Sequence, residues 1–272
     1  ALRSNRLELY TQPIVSLRPF GDRNFSLGIV MTFVTGVSLF GGTFLMPIFL
    51  GQIRGFSSAE VGTTMLVSGL SMFISAPIVG RLIRVMDARI AMIAGFTLAA
   101  WAIQLGVRVT DEWGFREFFV LQVARGLGTM LAMIAAQQMS VASLPVTMMK
   151  DASGLINLIR NVAGAIGLAV LTTILSHQTA AHYLDIATAA STANAATAGM
   201  MDGLTQMMTA GGLADPESVA RKAMGGMMHR QAAVLAFGDA FGALAMGCWF
   251  AAGLALFVRP AGPGAAAPAG AH

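Results

Sequence analysis

From Phe25 to Leu50 the chain runs for 26 residues without a charged side chain. As a helix, such a run crosses about 30 Å of hydrocarbon even when tilted. Long, mostly apolar runs recur at Val61 to Val79, Ile90 to Val107, Phe118 to Met139, Asp151 to Leu175 and Ala232 to Val258. The fold class this predicts is all-α, with six membrane-spanning helices. Composition agrees, since 56% hydrophobic residues with only 11% charged lie outside the range of a soluble domain.

The remaining features exclude several function classes. A net charge of +4 is spread over single basic residues with no basic run or aromatic interleaving, so no nucleic acid is expected as a partner. A single cysteine, Cys248, allows neither an internal disulfide nor a CxxC metal or redox site. His177, His182, His229 and His272 match no HExxH or His/Cys spacing, and the glycines lie inside apolar spans rather than between a strand and a helix. No enzyme, metal or cofactor is expected, and ATP is not the energy source; a proton or ion gradient remains. Nineteen methionines fit either an adaptable binding wall or ordinary apolar filler.

Basic residues set the orientation. Residues 1–23 form a polar lead-in with Arg3, Arg6, Arg18 and Arg23, and Gly80 to Arg89 forms a tight basic turn with Arg81, Arg84 and Arg89. With Lys150 and Arg259 these make nine basic residues on one side, against Arg54, Arg108 and Arg116 in the short loops of the other. The richer side is the cytoplasmic one, which places both ends of the chain inside. Residues 177–231 are small and polar and span nothing; they are expected outside, as two amphipathic helices near His182 to Thr209 and Pro216 to Gln231, or partly disordered over Ile186 to Ala198. The Ala/Gly/Pro tail after Arg259 is expected to be disordered. The chain starts at Ala1, with no initiator methionine and no secretory pattern, so sequence upstream is expected.

Three charges fall within spans: Arg125, Arg160 and Asp239. Each must face protein or water. On a helical wheel Gly154, Asn157, Arg160, Asn161, Gly164 and Gly167 share one arc of the fifth span, opposite Leu155, Leu158, Ile159, Val162, Ile166 and Val170. Either the polar arc lines a pathway, or Arg160 snorkels to the headgroups. Asp239 in a low-dielectric wall suits proton uptake and release; alternatively it caps or pairs with Arg230 or His229.

The order of several segments resembles the C-terminal half of the 14-spanner drug:proton antiporters of the major facilitator superfamily, the EmrB/QacA type. The resembling pieces are Arg23-Asn24-Phe25, Gly51-Gln52 through Gly55-Phe56-Ser57-Ser58-Ala59-Glu60-Val61-Gly62, Pro77 to Leu82, Ala152 to Asn161 with Gly164 to Gly167, and Phe237 to Phe241. The resemblance implies a bundle of two inverted three-helix repeats facing an N-terminal bundle across a cavity. It also implies that Gly80 to Arg89 is the second copy of a gating signature, G-x-L-x-D-R-x-G-R-R, in which Arg84 replaces the acid and Asp87 a glycine. Arg125 would correspond to the fourth-span arginine and the fifth span to the antiporter motif, with Gly154, Gly164 and Gly167 as its packing glycines.

On this reading the chain is the C-terminal bundle of a proton-coupled exporter of hydrophobic or amphiphilic compounds in a bacterial inner membrane. Its domains are a lead-in (1–23), five spans (24–176), an outer insert (177–231), a last span (232–259) and a tail (260–272). Its expected partners are a hydrophobic small-molecule substrate, an N-terminal transporter half, the lipid bilayer and, through the insert, a periplasmic adaptor and an outer-membrane channel. The alternatives are a metabolite or siderophore permease and a non-transporting membrane scaffold.

Overall fold

The computed structural model describes residues 18–142, 144–145, 148–192, 194–212 and 215–258. The expectations placed on Arg3, Arg6, Arg259 and the tail lie outside these residues. Seven α-helices are present among them: α1 Arg23–Gln52, α2 Ser58–Val85, α3 Ala88–Leu105, α4 Phe115–Ala142, α5 Met149–Thr192, α6 Asn194–Ala210 and α7 Pro216–Ala255. Six of these, all but α6, are long and apolar enough to cross a membrane.

The helix starts follow from their caps. Phe25 donates its backbone N–H to Asp22 Oδ1 at 2.8 Å, and Ser57 with Glu60 forms a reciprocal capping box. Asp87 accepts from the Arg89 backbone at 2.9 Å, and Asp215, with Pro216 behind it, accepts from Ser218. The side-chain and backbone bonds from Ser218 hold the Asp215 carboxyl below the usual carboxylate range, so this cap weakens only as the pH falls through that lowered value.

Three boundaries differ from expectation. The second span does not stop at Pro77 and Gly80; α2 runs through both to Val85, leaving only Met86 and Asp87 as the turn. The fifth and last spans do not end where hydropathy falls. α5 continues for 44 residues and α7 for 40, about 66 and 60 Å, or twice a hydrocarbon core. No glycine, proline or cap interrupts Ser176 to Leu184 or Arg230 to Val234, so helicity outlasts the apolar run. The separate helix expected over His182 to Thr209 is instead the end of α5 plus α6, and α6 packs along α7 to complete the projection.

The topology is that of two inverted triplets, α1–α3 and α4, α5, α7. The first helix of each packs on the second helix of the other (α1 on α5, α4 on α2), while the third helices α3 and α7 pack together. At the core Phe49 meets Phe118 and Phe237 edge-on at 5.6 and 5.3 Å. Burial is uneven. Half or more of the most apolar stretch is buried in α1, α3, α4 and α7, against 28% in α2 and 22% in α5. The second helix of each triplet is therefore the one left uncovered.

Candidate functional site

α2 buries its polar stripe and exposes its apolar one. Its buried stripe is Thr64, Ser68 and Ser75, followed by Val79 and Ile83, while Leu66, Leu70, Phe73, Ile74 and Ile78 are exposed. The polar stripe meets a matching one on α4. Gln122 Nε2 donates to the Thr64 carbonyl at 2.9 Å, Arg125 donates to Ser68 Oγ at 2.8 Å, and the Ser71 hydroxyl donates to the Val123 carbonyl at 3.0 Å. Arg125 is 2% exposed and lies against Gly42 of α1, where a Cβ would come within 2.4 Å of its guanidinium. No carboxylate pairs with it among the described residues. Its Nε, Ser38 Oγ, Gln122 Oε1 and Thr129 Oγ1 are buried without a hydrogen-bond partner. A desolvated cation with so few bonds is costly to keep.

Arg160 belongs to a second, more open cluster. Its guanidinium donates to Asn157 Oδ1 at 3.3 Å and to Gln137 Oε1 of α4 at 3.4 Å, linking α5 to α4. Asn157, Asn161, Gln137 and Gln138 are exposed around it. The wheel drawn from the sequence needs one rotation: Leu155, expected on the lipid side, is buried with Phe25, Ile29 and Ile156. Of the three expected packing glycines, Gly164 and Gly167 lie against Phe40 and Val37 of α1, but Gly154 has nothing within 4 Å. α5 thus docks through Ala152, Ile156, Ala163, Gly167 and Leu171, and exposes Asn157 and Asn161 on one flank and Leu158, Val162, Ile166 and Val170 on the other.

Asp239 does not pair with Arg230 or His229. Its Oδ2 lies 2.8 Å from Nε2 of His182, on the extended part of α5. Arg230 instead sits 3.8 Å from Asp111, and His229 stacks edge-on against Tyr183. At the opposite end, Asp87 is the cap of α3 and Arg89 donates to the Leu256 carbonyl, tying the basic turn to the end of α7. Gly80 lies within α2, and Arg81 and Arg84 are exposed with no ion pair among the described residues.

The structure thus separates the expected residues into three places: Arg125 in a buried seam, Arg160 with Asn157 and Asn161 on an open face, and Asp239 at the foot of the projection. Sequence reasoning missed Gln122, Ser68, Gln137 and His182. The first two carried a signal, because Thr64, Ser68, Ser71 and Ser75 repeat at helical spacing opposite Gln122, Arg125 and Thr129. Gln137 and His182 carried none, since their partners are distant in sequence.

A family model, Major Facilitator Superfamily, matches residues 3–168. The chain belongs to the major facilitator superfamily. Its similarity extends further: it is 32% identical over 247 residues, 91% of its length, to the colistin resistance protein EmrB of Acinetobacter baumannii. It is 27% identical over 165 residues (61% of the chain) to the lincomycin resistance protein LmrB of Listeria monocytogenes, and 27% identical over 177 residues (64%) to the multidrug export protein EmrB of Escherichia coli. The chain spans 48%, 35% and 34% of these three relatives. Within this transporter superfamily the chain is a multi-pass membrane protein, and its two inverted triplets form one six-helix bundle.

Cysteine labelling distinguishes the two flanks of α5. Wild-type Cys248 is 1% exposed and should stay silent. Asn157→Cys and Asn161→Cys are expected to react with a water-soluble maleimide roughly tenfold faster than Leu158→Cys and Val162→Cys in membranes, because thiolate chemistry needs water. Equal rates would mean that the polar flank faces lipid.

Proposed function

We propose that the chain is the C-terminal bundle of a proton-coupled multidrug exporter in a bacterial inner membrane. Three of its relatives carry drug resistance or export in their names, and the chain spans about half of the one it matches over most of its length. The observation that carries the reading is the uncovered pair α2 and α5, which leave Arg160, Asn157, Asn161 and Gln137 on an open face. A second six-helix bundle across that face would enclose them, and those side chains would then line a wet route for a hydrophobic or amphiphilic compound.

In this reading the lead-in, the Gly80 to Arg89 turn and the end of α7 lie in the cytoplasm, and the projection of α5, α6 and α7 stands outside. Arg125 holds its charge in the seam between α2 and α4 without touching solvent. The Asp239–His182 pair is the place where a proton is held. The projection is the docking surface for a periplasmic adaptor leading to an outer-membrane channel.

The test is uptake of a fluorescent amphiphile into everted vesicles holding this chain together with the N-terminal half of a relative. Uptake that collapses on adding an uncoupler is the expected result; uptake indifferent to the uncoupler would end the proton-coupled reading. Gly154→Leu adds a test of the face. Since nothing lies within 4 Å of Gly154, the substitution should leave the chain's thermal midpoint unchanged, yet it should cut transport more than about tenfold by obstructing the second bundle.

A further inference from the structure

We propose that the groove between the end of α3 and the start of α4 is a binding site for a zwitterionic glycerophospholipid, with Arg108 taking the phosphate, Glu117 the ammonium and Trp101 the first carbons of the acyl chains. The proposal rests on the chain's place in a membrane and is independent of the export reading. The groove is an open cavity of about 370 Å³, lined by Trp101 and Leu105 of α3, Val107 and Arg108 of the turn that follows, Trp113 of the loop and Glu117 in the first turn of α4. That size admits a headgroup and its glycerol. Among the described residues none from α2 or α5 lines it, so it stands apart from the face that carries Arg160.

The groove lies where hydrocarbon gives way to headgroups. Ile90, Ala94, Trp101 and Gln104 form one exposed stripe on α3, whose other sides pack on α4 and α7. The stripe is apolar as far as Trp101 and polar at Gln104, and Arg108 follows Trp101 by seven residues, about 10 Å along the axis. Over that depth a lipid passes from its chains to its phosphate. Two of the chain's three tryptophans line this one groove. An indole, apolar but for a single N–H, is the side chain enriched at this boundary.

Charge complementarity selects the headgroup. Arg108 and Glu117 line the same groove without meeting, and neither has an ion-pair partner among the described residues. Opposite charges held apart suit a ligand that carries both in the reverse order, as a phosphoethanolamine or phosphocholine headgroup does. A purely anionic headgroup would gain Arg108 but meet Glu117 as a like charge. The other cations nearby are occupied or outside the lining: Arg54 donates to the Asp111 carbonyl and lies over the Phe56 ring, and Arg116 is exposed elsewhere on the first turn of α4. The walls are also fixed. A Cβ on Gly106 would strike the Phe241 ring and one on Gly238 would come within 2.7 Å of the Val107 carbonyl, so the turn that carries Arg108 lies tight on α7. The Trp113 backbone donates to the Thr110 carbonyl at 3.2 Å, and its ring meets Phe118 edge-on at 5.4 Å. Gly114 donates its N–H to Glu117 Oε2 at 2.9 Å, which orients the carboxylate. Groups already in place need little ordering when a ligand arrives.

The experiment uses the groove's own tryptophans. The full purified chain carrying Trp249→Phe, a change at an exposed position outside the groove, is placed in phosphatidylglycerol vesicles and titrated with phosphatidylethanolamine, phosphatidylcholine or phosphatidylglycerol brominated in the acyl chains, which quench indole fluorescence on contact. The two zwitterionic lipids are expected to reach half-quenching at a mole fraction about tenfold lower than the anionic one. Arg108→Gln should erase that preference. Glu117→Gln should erase it too, although its side-chain carbonyl can still accept from Gly114 and the start of α4 is kept. Arg116→Gln, next to Glu117 but outside the lining, should leave the preference intact. Glycerophosphoethanolamine, the headgroup without chains, should not relieve the quenching at millimolar concentration. Equal half-quenching by the three lipids, or a preference for phosphatidylglycerol, would overturn the proposal. So would a preference that survives both Arg108→Gln and Glu117→Gln, one that is lost in Arg116→Gln, or relief of quenching by the soluble headgroup.

Discussion

Arg125→Met is expected to make the bundle more stable and to abolish the proposed transport. The guanidinium is 2% exposed, has one side-chain hydrogen bond, to Ser68, and keeps its Nε unsatisfied with no carboxylate paired to it among the described residues. Replacing buried charged groups by well-packed apolar side chains of similar volume is often neutral or stabilising, by up to about 4 kcal/mol, because the desolvation cost disappears with the charge. Methionine fills the space beside Gly42 with a flexible chain, and Ser68 can turn its hydroxyl to a carbonyl one turn back, as Thr64 does to Glu60. A residue that costs stability and is nonetheless present is serving something other than the fold. Transport in vesicles should therefore fall by at least about 100-fold, while the thermal midpoint of the purified chain rises by a few degrees. A lower midpoint would recast Arg125 as a strut between α2 and α4; a stable and active variant would remove it from the transport route.

Some parts of the molecule are legible in the sequence alone and others are not. The six spans are, because a bilayer demands predominantly apolar length and the chain supplies it six times. The turn at Asp87 and the start at Asp215 were legible as caps or basic signals. The ends of α5 and α7 were not, because hydropathy reports which solvent surrounds a helix and is silent on whether the helix continues; between Ser176 and Leu184 the solvent changes and the backbone does not. Nor were the partners of the charged residues. Arg125 and Arg160 could be recognised as intramembrane cations, but Ser68 is 57 positions from the first and Gln137 is 23 from the second, and pairing at such separations is decided by which helices pack. Asp239 shows the same limit: nearby Arg230 and His229 were the natural candidates in sequence, while the residue it meets lies 57 positions away, because α5 outlasts the membrane. The side-chain spacing on α5 gave the two flanks of the helix but misplaced the boundary between them, since Leu155 and Gly154 differ in burial by what stands opposite, and only α1 decides that.

Gly95→Leu and Gly128→Leu are expected to prevent the bundle from forming at all, and Gly69→Ala to leave it intact. α3 and α4 cross with their backbones almost touching: a Cβ at Gly95 would lie 2.4 Å from the Ala132 nitrogen, and one at Gly128 would lie 2.5 Å from the Ala99 nitrogen. The two contacts are reciprocal, one glycine from each helix. The atoms struck are main chain, so no rotamer change can relieve them and the helices must separate along the whole crossing. Separation would unpack Met92, Phe96, Leu131, Ala132 and Ala136 together, which makes a loss of more than about 3 kcal/mol the least that follows. This crossing also joins the third helix of one triplet to the first helix of the other, so its failure opens one of the seams between the two repeats rather than loosening one helix. Gly69 lies in the interior of α2 with nothing within 4 Å of its added Cβ, and there alanine only improves helix propensity. Purified variants compared by size-exclusion profile and thermal midpoint check this, and a monodisperse Gly128→Leu with an unchanged midpoint would mean that the helices do not approach as closely as described.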